Sequence, residues 1–288
     1  MDVDFSIGTR VREFDYTDAD FSYLSALVKT RGGINLSTAK RELVYGRLAK
    51  RLRILKFTTF KQYCDFLAHG DEEELTHFMN AITTNVTDFF RENHHFEFIS
   101  STWLSEFGGE ASRGLRPRLR IWSAGCSSGE EPYSIAMTLR ESLPEIDQWD
   151  IKILATDLDS SIVKKAQAGV YSLERIKGMS PARRKRWFRL GHGSNAGNAS
   201  ISEDIKKMVT FKTLNLTEDW PMKGPFNAIF CRNVIIYFDK PTRSAVINRF
   251  SKMLEPGGCF FIGHSESLFG VNKDFELVGR TIHRKVGA

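Results

Sequence analysis

Hydrophobic positions change period along this chain. Between residues 17 and 82 they recur every three to four residues. Phe21, Leu24, Leu27 and Val28 share one face, and Val44, Leu48, Leu52 and Leu55 share another, the spacing of amphipathic helices. Thr17 or Asp18 caps the first helix, which runs to about Thr30 and is closed by Arg31-Gly32-Gly33. The second covers roughly Ala39 to Lys56, and two more fall near Phe60–Ala68 and Asp71–Ile82. The expectation is a loose tail over residues 1–14, then a small helical domain over 15–82. A linker over 83–118 follows, ending in the small, basic, Gly/Pro-containing stretch Ala111 to Arg118.

From residue 119 to 288 short β-prone runs alternate with helical ones. Strands are expected at Arg120–Ser123, Ile151–Ala155, Val209–Thr213, Ala228–Cys231 and Cys259–Gly263. Helices are expected from Pro132 onward, at Ser160–Ala168 and at Thr242–Leu254, the last stopped by Glu255-Pro256-Gly257-Gly258. Phe275–Gly279 and Arg280–Lys285 read as a terminal strand pair. The pattern predicts an α/β domain with a largely parallel sheet. One connection is out of proportion: about 40 residues precede Val209, far beyond an ordinary αβ loop. They hold a proline-started helix with Arg183, Arg184, Lys185, Arg186 and Arg189, a Gly/Asn-rich turn at Gly191–Asn198, and a β-prone piece at Ala199–Ser202. Residues 170–208 read either as an inserted β-rich docking lobe or as a disordered loop.

Composition narrows the class. The chain has 288 residues and is 41% hydrophobic. Its mean hydropathy is −0.30, and no run approaches the roughly 20 apolar residues of a membrane helix. Met1-Asp2-Val3-Asp4 lacks a signal peptide's basic and apolar regions. Cys64, Cys126, Cys231 and Cys259 are far apart and show no metal spacing, so they are expected as reduced thiols in a cytoplasmic protein. The net charge of +6 points to acidic partners.

The candidate chemistry sits in Arg120 to Ile135, R-I-W-S-A-G-C-S-S-G-E-E-P-Y-S-I, read as strand, glycine turn and helix. Glu130 and Glu131 stand where a dinucleotide loop would bring phosphate to the helix N-terminus. Carboxylates there repel phosphate and suit a ligand with an ammonium group and ribose hydroxyls, such as S-adenosylmethionine. The plainer reading is an ordinary βα turn with acids complementing the helix dipole. Asp157 ends the second strand, placed to accept ribose hydroxyls or to cap the next helix, a job that suits Asp159 better. On the second helix, Arg47, Lys50 and Arg53 point away from the apolar stripe, with Arg51 at its edge. This face is either solvated or a landing site for an acidic helix, and Gly46 on it would allow close approach. His94 and His95 are adjacent, so they are not expected to share a metal, and no metal site is expected.

N-V-T-D-F-F-R-E, G-E-E-P-Y-S-I, F-C-R-N-V-I-I-Y-F and G-H-S-E-S occur in that order. Together with the element order, these motifs resemble the bacterial chemotaxis receptor methyltransferases, the CheR family. The resemblance implies the class I S-adenosylmethionine-dependent methyltransferase fold, an α/β seven-stranded mixed sheet, with an N-terminal all-helical domain and an inserted β-rich subdomain. It implies methyl transfer from S-adenosylmethionine to glutamate side chains on receptor cytoplasmic helices, with S-adenosylhomocysteine as product. The cofactor positions it implies are Asn85, Thr87, Arg91, Glu131, Asp157, Asn215, Leu216, Arg232 and Asn233. Arg91 and Tyr237 would stand beside the reacting carboxylate, and the face with Arg47, Lys50, Arg51 and Arg53 would meet the receptor. In some members the inserted lobe grips a receptor C-terminal peptide by strand addition. The chain is expected to act as a monomer. Two rivals stand beside this reading. A nucleic-acid methyltransferase is disfavoured because the fourth strand ends Cys231-Arg232-Asn233, unlike enzymes that act on exocyclic amines. A non-catalytic adaptor that binds the cofactor is disfavoured by the presence of Asp157, Glu131 and Arg91.

Overall fold

A computed structural model describes residues 12–107, 117–143 and 145–287. Residues 1–11 of the expected tail, and most of the basic stretch before residue 118, lie outside the described residues. The chain divides into two compact units, one of residues 1–31 and 35–82, the other of residues 32–34 and 83–288.

The first unit is helical. Helix α1 (Asp18–Gly32) begins with a reciprocal cap: the Thr17 N–H donates to Asp20 and the Asp20 N–H donates to the Thr17 hydroxyl. Helix α2 (Arg41–Leu55) buries Val44, Leu48, Ala49 and Leu52 and ends at Lys56 in the left-handed region. Helices α3 (Phe60–Ala68) and α4 (Glu72–Ile82) complete the unit. Leu24, Val28, Leu48, Phe60, Tyr63 and Phe78 are buried. Phe14 is buried as well, and its N–H donates to the Tyr45 hydroxyl.

The second unit is built on a seven-stranded sheet. Its strands are β1 (Arg118–Ala124), β2 (Asp150–Asp157), β6 (Val209–Thr213), β7 (Phe226–Cys231), β8 (Leu254–Ile262), β9 (Phe275–Gly279) and β10 (Ile282–Lys285). Their spatial order is β6-β2-β1-β7-β8-β10-β9. The first five are parallel, and β10 and β9 join antiparallel. This is the seven-stranded mixed sheet of the class I methyltransferase fold. Alternation along β1 assigns the two faces. Leu119 and Ile121 enter the layer formed with α5 (His94–Ser101) and α6 (Glu130–Ser142). Trp122 and Ala124 enter the opposite layer with α11 (Lys240–Met253). Every residue of β7 is buried, as a central parallel strand requires. The order reverses at β1, so loops at the C-ends of β1, β2 and β7 gather at the switch point where such sheets bind ligands.

After α7 (Ser160–Ala168) the long connection folds as a lobe. It holds β3 (Val170–Ser172), α8 (Leu173–Ile176), α9 (Pro181–Trp187), β4 (Phe188–Leu190), β5 (Asn198–Ile201) and α10 (Glu203–Lys206). The three strands form an antiparallel sheet, β3-β5-β4. Glu255-Pro256-Gly257-Gly258 was expected to cap a helix and turn. Instead α11 stops at Met253 and β8 begins at Leu254. The pairing shifts register opposite Phe226–Ala228, and Gly257 adopts φ +78°, so glycine lets the chain kink without leaving the sheet. Among the described residues no helix is long and apolar enough to cross a membrane.

Candidate functional site

The site begins where β1 runs out. The N–H groups of Gly125 and Cys126 both donate to the Thr156 carbonyl of β2 at 2.8 and 2.9 Å. Gly125, Ser127 and Gly129 take φ of +84°, +49° and +94°. A Cβ on Gly125 would lie 2.3 Å from Val234 Cγ2, so the turn rests directly on the loop that leaves β7. Only glycine permits both that backbone and that approach.

Asp157, at the end of β2, faces the turn. Its carboxylate accepts the Ser127 N–H at 2.8 Å and the Asp159 N–H at 3.0 Å. Burial pushes its pKa up, and these backbone hydrogen bonds offset part of the rise. Two accepted N–H groups leave capacity on a carboxylate with about four lone-pair sites. Asp159 caps α7 through the Ser161 and Ile162 N–H groups. Its other oxygen accepts from Asn85 at 2.9 Å and from Thr83 at 3.2 Å. Asn85 is thus joined to the end of β2.

The two glutamates that open α6 part company. Glu131 is buried; it accepts from the Ser123 hydroxyl at 2.7 Å and from Arg232 Nη1 at 3.0 Å. Burial raises its pKa, and Arg232 and Ser123 pull it back. Arg232, also buried, donates through Nη2 to the Arg91 carbonyl and lies 3.5 Å from Glu92. One guanidinium therefore crosses from the β7 loop to α6 and to the first motif. Glu92 in turn pairs with His264 at 2.9 Å. Its pKa sits below the ordinary carboxylate range: burial alone would raise it, but the His264 hydrogen bond and the Arg232 charge outweigh burial. Glu130 turns the other way and pairs with Arg175 of the inserted lobe. Arg175 also donates to the Thr87 carbonyl at 2.6 Å, and the Tyr171 hydroxyl donates to the Ser128 carbonyl at 2.6 Å. These contacts border a cavity of about 340 Å³ lined by Asn85, Ser128, Glu130, Lys165, Tyr171 and Arg175, among others.

The remaining residues singled out in the sequence are placed as follows. Thr87 is buried. Arg91 is half-buried, its side chain donating to the Val86 carbonyl at 2.8 Å. Asn215 closes a local turn by accepting from the Thr217 N–H and hydroxyl, and Leu216 is buried behind it. Asn233 adopts φ +58°, and Tyr237 ends a short 3₁₀ turn, Ile235–Tyr237.

The four basic positions of α2 are not equivalent. Arg51 makes a two-pronged pair with buried Glu74, which also accepts from the Tyr63 hydroxyl at 2.8 Å. Arg47 donates to the Ile82 carbonyl. Lys50 is exposed, and exposed Arg53 pairs with Glu13. With Leu43, Gly46 and Ile54 they form the exposed face of α2, and a Cβ on Gly46 would meet nothing within 4 Å.

His94 and His95 converge, contrary to the expectation from helical spacing. Their rings lie 4.1 Å apart, and each reaches the Thr281 hydroxyl, at 3.3 and 2.9 Å. With Glu92 they bring ligand atoms within 4.8 Å of one another. The spacing rule fails because both rings lie in the first turn of α5, bent toward one left-handed corner at Thr281. Sequence reasoning also passed over Glu92, Arg175, Tyr171 and Glu266; Glu92 closes the motif N-V-T-D-F-F-R-E and Glu266 stands in Gly263-His264-Ser265-Glu266, whereas Arg175 and Tyr171 lie in no motif.

Comparison with known proteins fits this geometry. Residues 85–284 match the family model described as the CheR methyltransferase SAM binding domain, and residues 19–83 match that of the CheR methyltransferase all-alpha domain. The chain is 44% identical over 275 residues to chemotaxis protein methyltransferase 2 of Pseudomonas aeruginosa, covering 94% of this chain and 95% of that one. It is 39% identical over 270 residues to the chemotaxis protein methyltransferase of Escherichia coli, covering 93% and 91%.

Proposed function

This chain belongs to the CheR methyltransferase family, a chemotaxis methyltransferase that uses S-adenosylmethionine, and on that premise we propose that it methylates glutamate side chains on the cytoplasmic helices of chemotaxis receptors, giving glutamyl methyl esters. The observation that carries this reading is the junction at Arg232, which ties Glu131, the Arg91 backbone and the β7 loop together at the edge of the glycine turn. In this reading, the tie from Arg232 to the Arg91 carbonyl supports half-buried Arg91 as the arginine beside the cofactor turn.

The residues fit the cofactor. The turn is acidic and lacks side chains at Gly125 and Gly129, and Asp157 keeps acceptor capacity for ribose hydroxyls. Asn215 and Leu216 flank the adenine side in this reading, while Asn85, Thr87, Glu131, Arg232 and Asn233 enclose the methionine side. The cofactor, when bound, supplies a sulfonium methyl that a carboxylate oxygen takes as the carbon–sulfur bond breaks, with no proton transferred. Glutamate has a pKa near 4.3, so the substrate arrives ionised and needs no general base. What the chain must supply is alignment and a dry site in which the carboxylate stays charged. Arg91, with one Nη on the Val86 carbonyl, has further N–H groups for the incoming carboxylate, and Tyr237 adds a neutral donor.

The exposed face of α2, with Lys50, Arg53 and the open Gly46 position, is the surface we assign to the receptor's acidic helix. The β3-β5-β4 sheet leaves β3 and β4 as edges to which an extended receptor C-terminal peptide can add. The deciding experiment uses labelled S-adenosylmethionine and receptor-containing membranes, followed by mild alkali. Label released as methanol supports a carboxyl ester. Alkali-stable label on protein, or label on nucleic acid, overturns the reading.

A further inference from the structure

Glu266 has no part in the chemistry described above, yet it is among the most heavily committed side chains of this unit. It is 8% exposed. Its Oε2 accepts the Gly263 N–H at 2.6 Å and the Asn233 N–H at 2.9 Å; its Oε1 accepts the Ile236 N–H at 3.3 Å. The Glu266 N–H donates back to the Gly263 carbonyl at 2.9 Å, so the carboxylate hangs from a tight turn at the end of β8 and reaches across to the loop that leaves β7. The Asn233 and Ile236 bonds come from that loop, residues 232–237. The loop carries Arg232 and Asn233 on the cofactor side and Tyr237 on the substrate side.

The loop needs such an anchor. Asn233 is a non-glycine residue with φ +58°, a left-handed conformation that asparagine tolerates better than most side chains but that still benefits from restraint by its surroundings. Its side chain packs so closely on β8 that a Cβ on Gly263 would lie 2.3 Å from Asn233 Nδ2. On the other side, Val234 fills the space that a side chain on Gly125 would need. The loop is therefore wedged between the cofactor turn and the end of β8, and the Glu266 carboxylate fastens its backbone in that wedge. Burial raises the Glu266 pKa, while the N–H groups it accepts favour the charged form.

We propose that Glu266 is a positioning residue for methyl transfer: its carboxylate, by holding the Asn233 and Ile236 N–H groups against the Gly263 turn, sets the loop geometry that brings Arg232 and Asn233 to the cofactor and Tyr237 to the substrate carboxylate. The inference rests on the reading of Tyr237 given above. It differs from a purely structural role because the bonds restrain a loop at the site, not a core layer.

The test replaces one acceptor by a donor. In Glu266→Gln one carboxylate oxygen becomes an amide NH₂, which cannot accept from a backbone N–H. Measured on folded protein, checked by far-UV circular dichroism, we expect kcat on receptor membranes to fall at least tenfold. S-Adenosylhomocysteine affinity should fall severalfold, and amide exchange of Asn233 and Ile236 should speed up. The double variant with Tyr237→Phe should lose less than the product of the two single losses, because the loop's effect on Tyr237 can be lost only once. Glu266→Asp, which keeps both oxygens but is one methylene shorter, serves if the glutamine variant does not fold, and should lose kcat and S-adenosylhomocysteine affinity together. Wild-type kcat and affinity in a folded variant, or losses that multiply to within about twofold, overturn the proposal. If Tyr237→Phe itself leaves kcat unchanged, the substrate reading fails at that residue; the affinity and exchange measurements, which need no receptor, then still decide whether Glu266 positions the loop.

Discussion

Arg232 shows what a single side chain does here. It neutralises buried Glu131 and holds the Arg91 carbonyl, so replacing it would strand a buried carboxylate, a loss of about 3–5 kcal/mol. Arg91 and Asp157 are the residues through which to test the chemistry itself. Asp157→Ala should abolish measurable S-adenosylhomocysteine binding by calorimetry, since it removes the charge-assisted acceptor for ribose; unchanged affinity would take Asp157 out of the site. Because the proposed nucleophile is already ionised, log kcat/KM should stay level from about pH 6 to 8, with no step near the histidine pKa of about 6.5. Arg91→Ala should cost far more than Tyr237→Phe, and Arg91→Lys should restore only part, lacking the planar donor fork. A histidine-like step, or a more damaging Tyr237→Phe, would mean that a general base is at work.

At the scale of the element, α5 and α2 make separate predictions. His95, in the first turn of α5, is fully buried and its pKa is pushed down to about 3, by burial first and by the Arg232 charge second. A histidine whose folded pKa lies below its unfolded value of about 6.5 contributes stability that is complete above pH 6.5 and is lost as pH falls toward 3. Between pH 7 and 5 the loss should be about 2 kcal/mol. Thermal unfolding should show it, and His95→Gln should flatten that slope. An unaltered slope would place the acid sensitivity elsewhere. On α2, Arg53→Glu should weaken receptor methylation without changing cofactor affinity, because every proposed cofactor residue belongs to the other unit. Arg51→Ala should act differently: it strands buried Glu74 and should lower the melting temperature. If Arg53→Glu leaves receptor kinetics untouched, the face is merely solvated.

For the whole molecule, the excess of positive charge bears on partner encounter. Receptor methylation should weaken between low salt and about 0.15 M, where exposed charges are screened beyond about 8 Å, whereas affinity for S-adenosylhomocysteine, which does not depend on the exposed basic face of α2, should change little. Equal salt sensitivity of both would argue against charge-guided docking.

Much of this architecture was legible before any coordinates, because it rests on local causes. Helical and strand periods depend on which face of an element meets a core. The β1 turn declares itself because glycines must sit where backbone φ is positive, and Asp159 declares itself as a cap because its acceptor is two and three residues from the N–H groups it serves. Asp157 was legible for a related reason, standing where a strand of a parallel sheet ends. Tertiary structure decided the partners of the charged groups. Nothing in the spacing of Arg47, Lys50, Arg51 and Arg53 separates Arg51, held by Glu74, from exposed Lys50, since the difference is made by a carboxylate on another helix. Nor does local sequence join Arg232 to a carbonyl 141 positions away, bring His94 and His95 to one hydroxyl, or hang the β7 loop from Glu266. A helix or strand follows from neighbours in the chain; a buried charge takes its role from whichever distant group the packed fold brings within hydrogen-bonding reach.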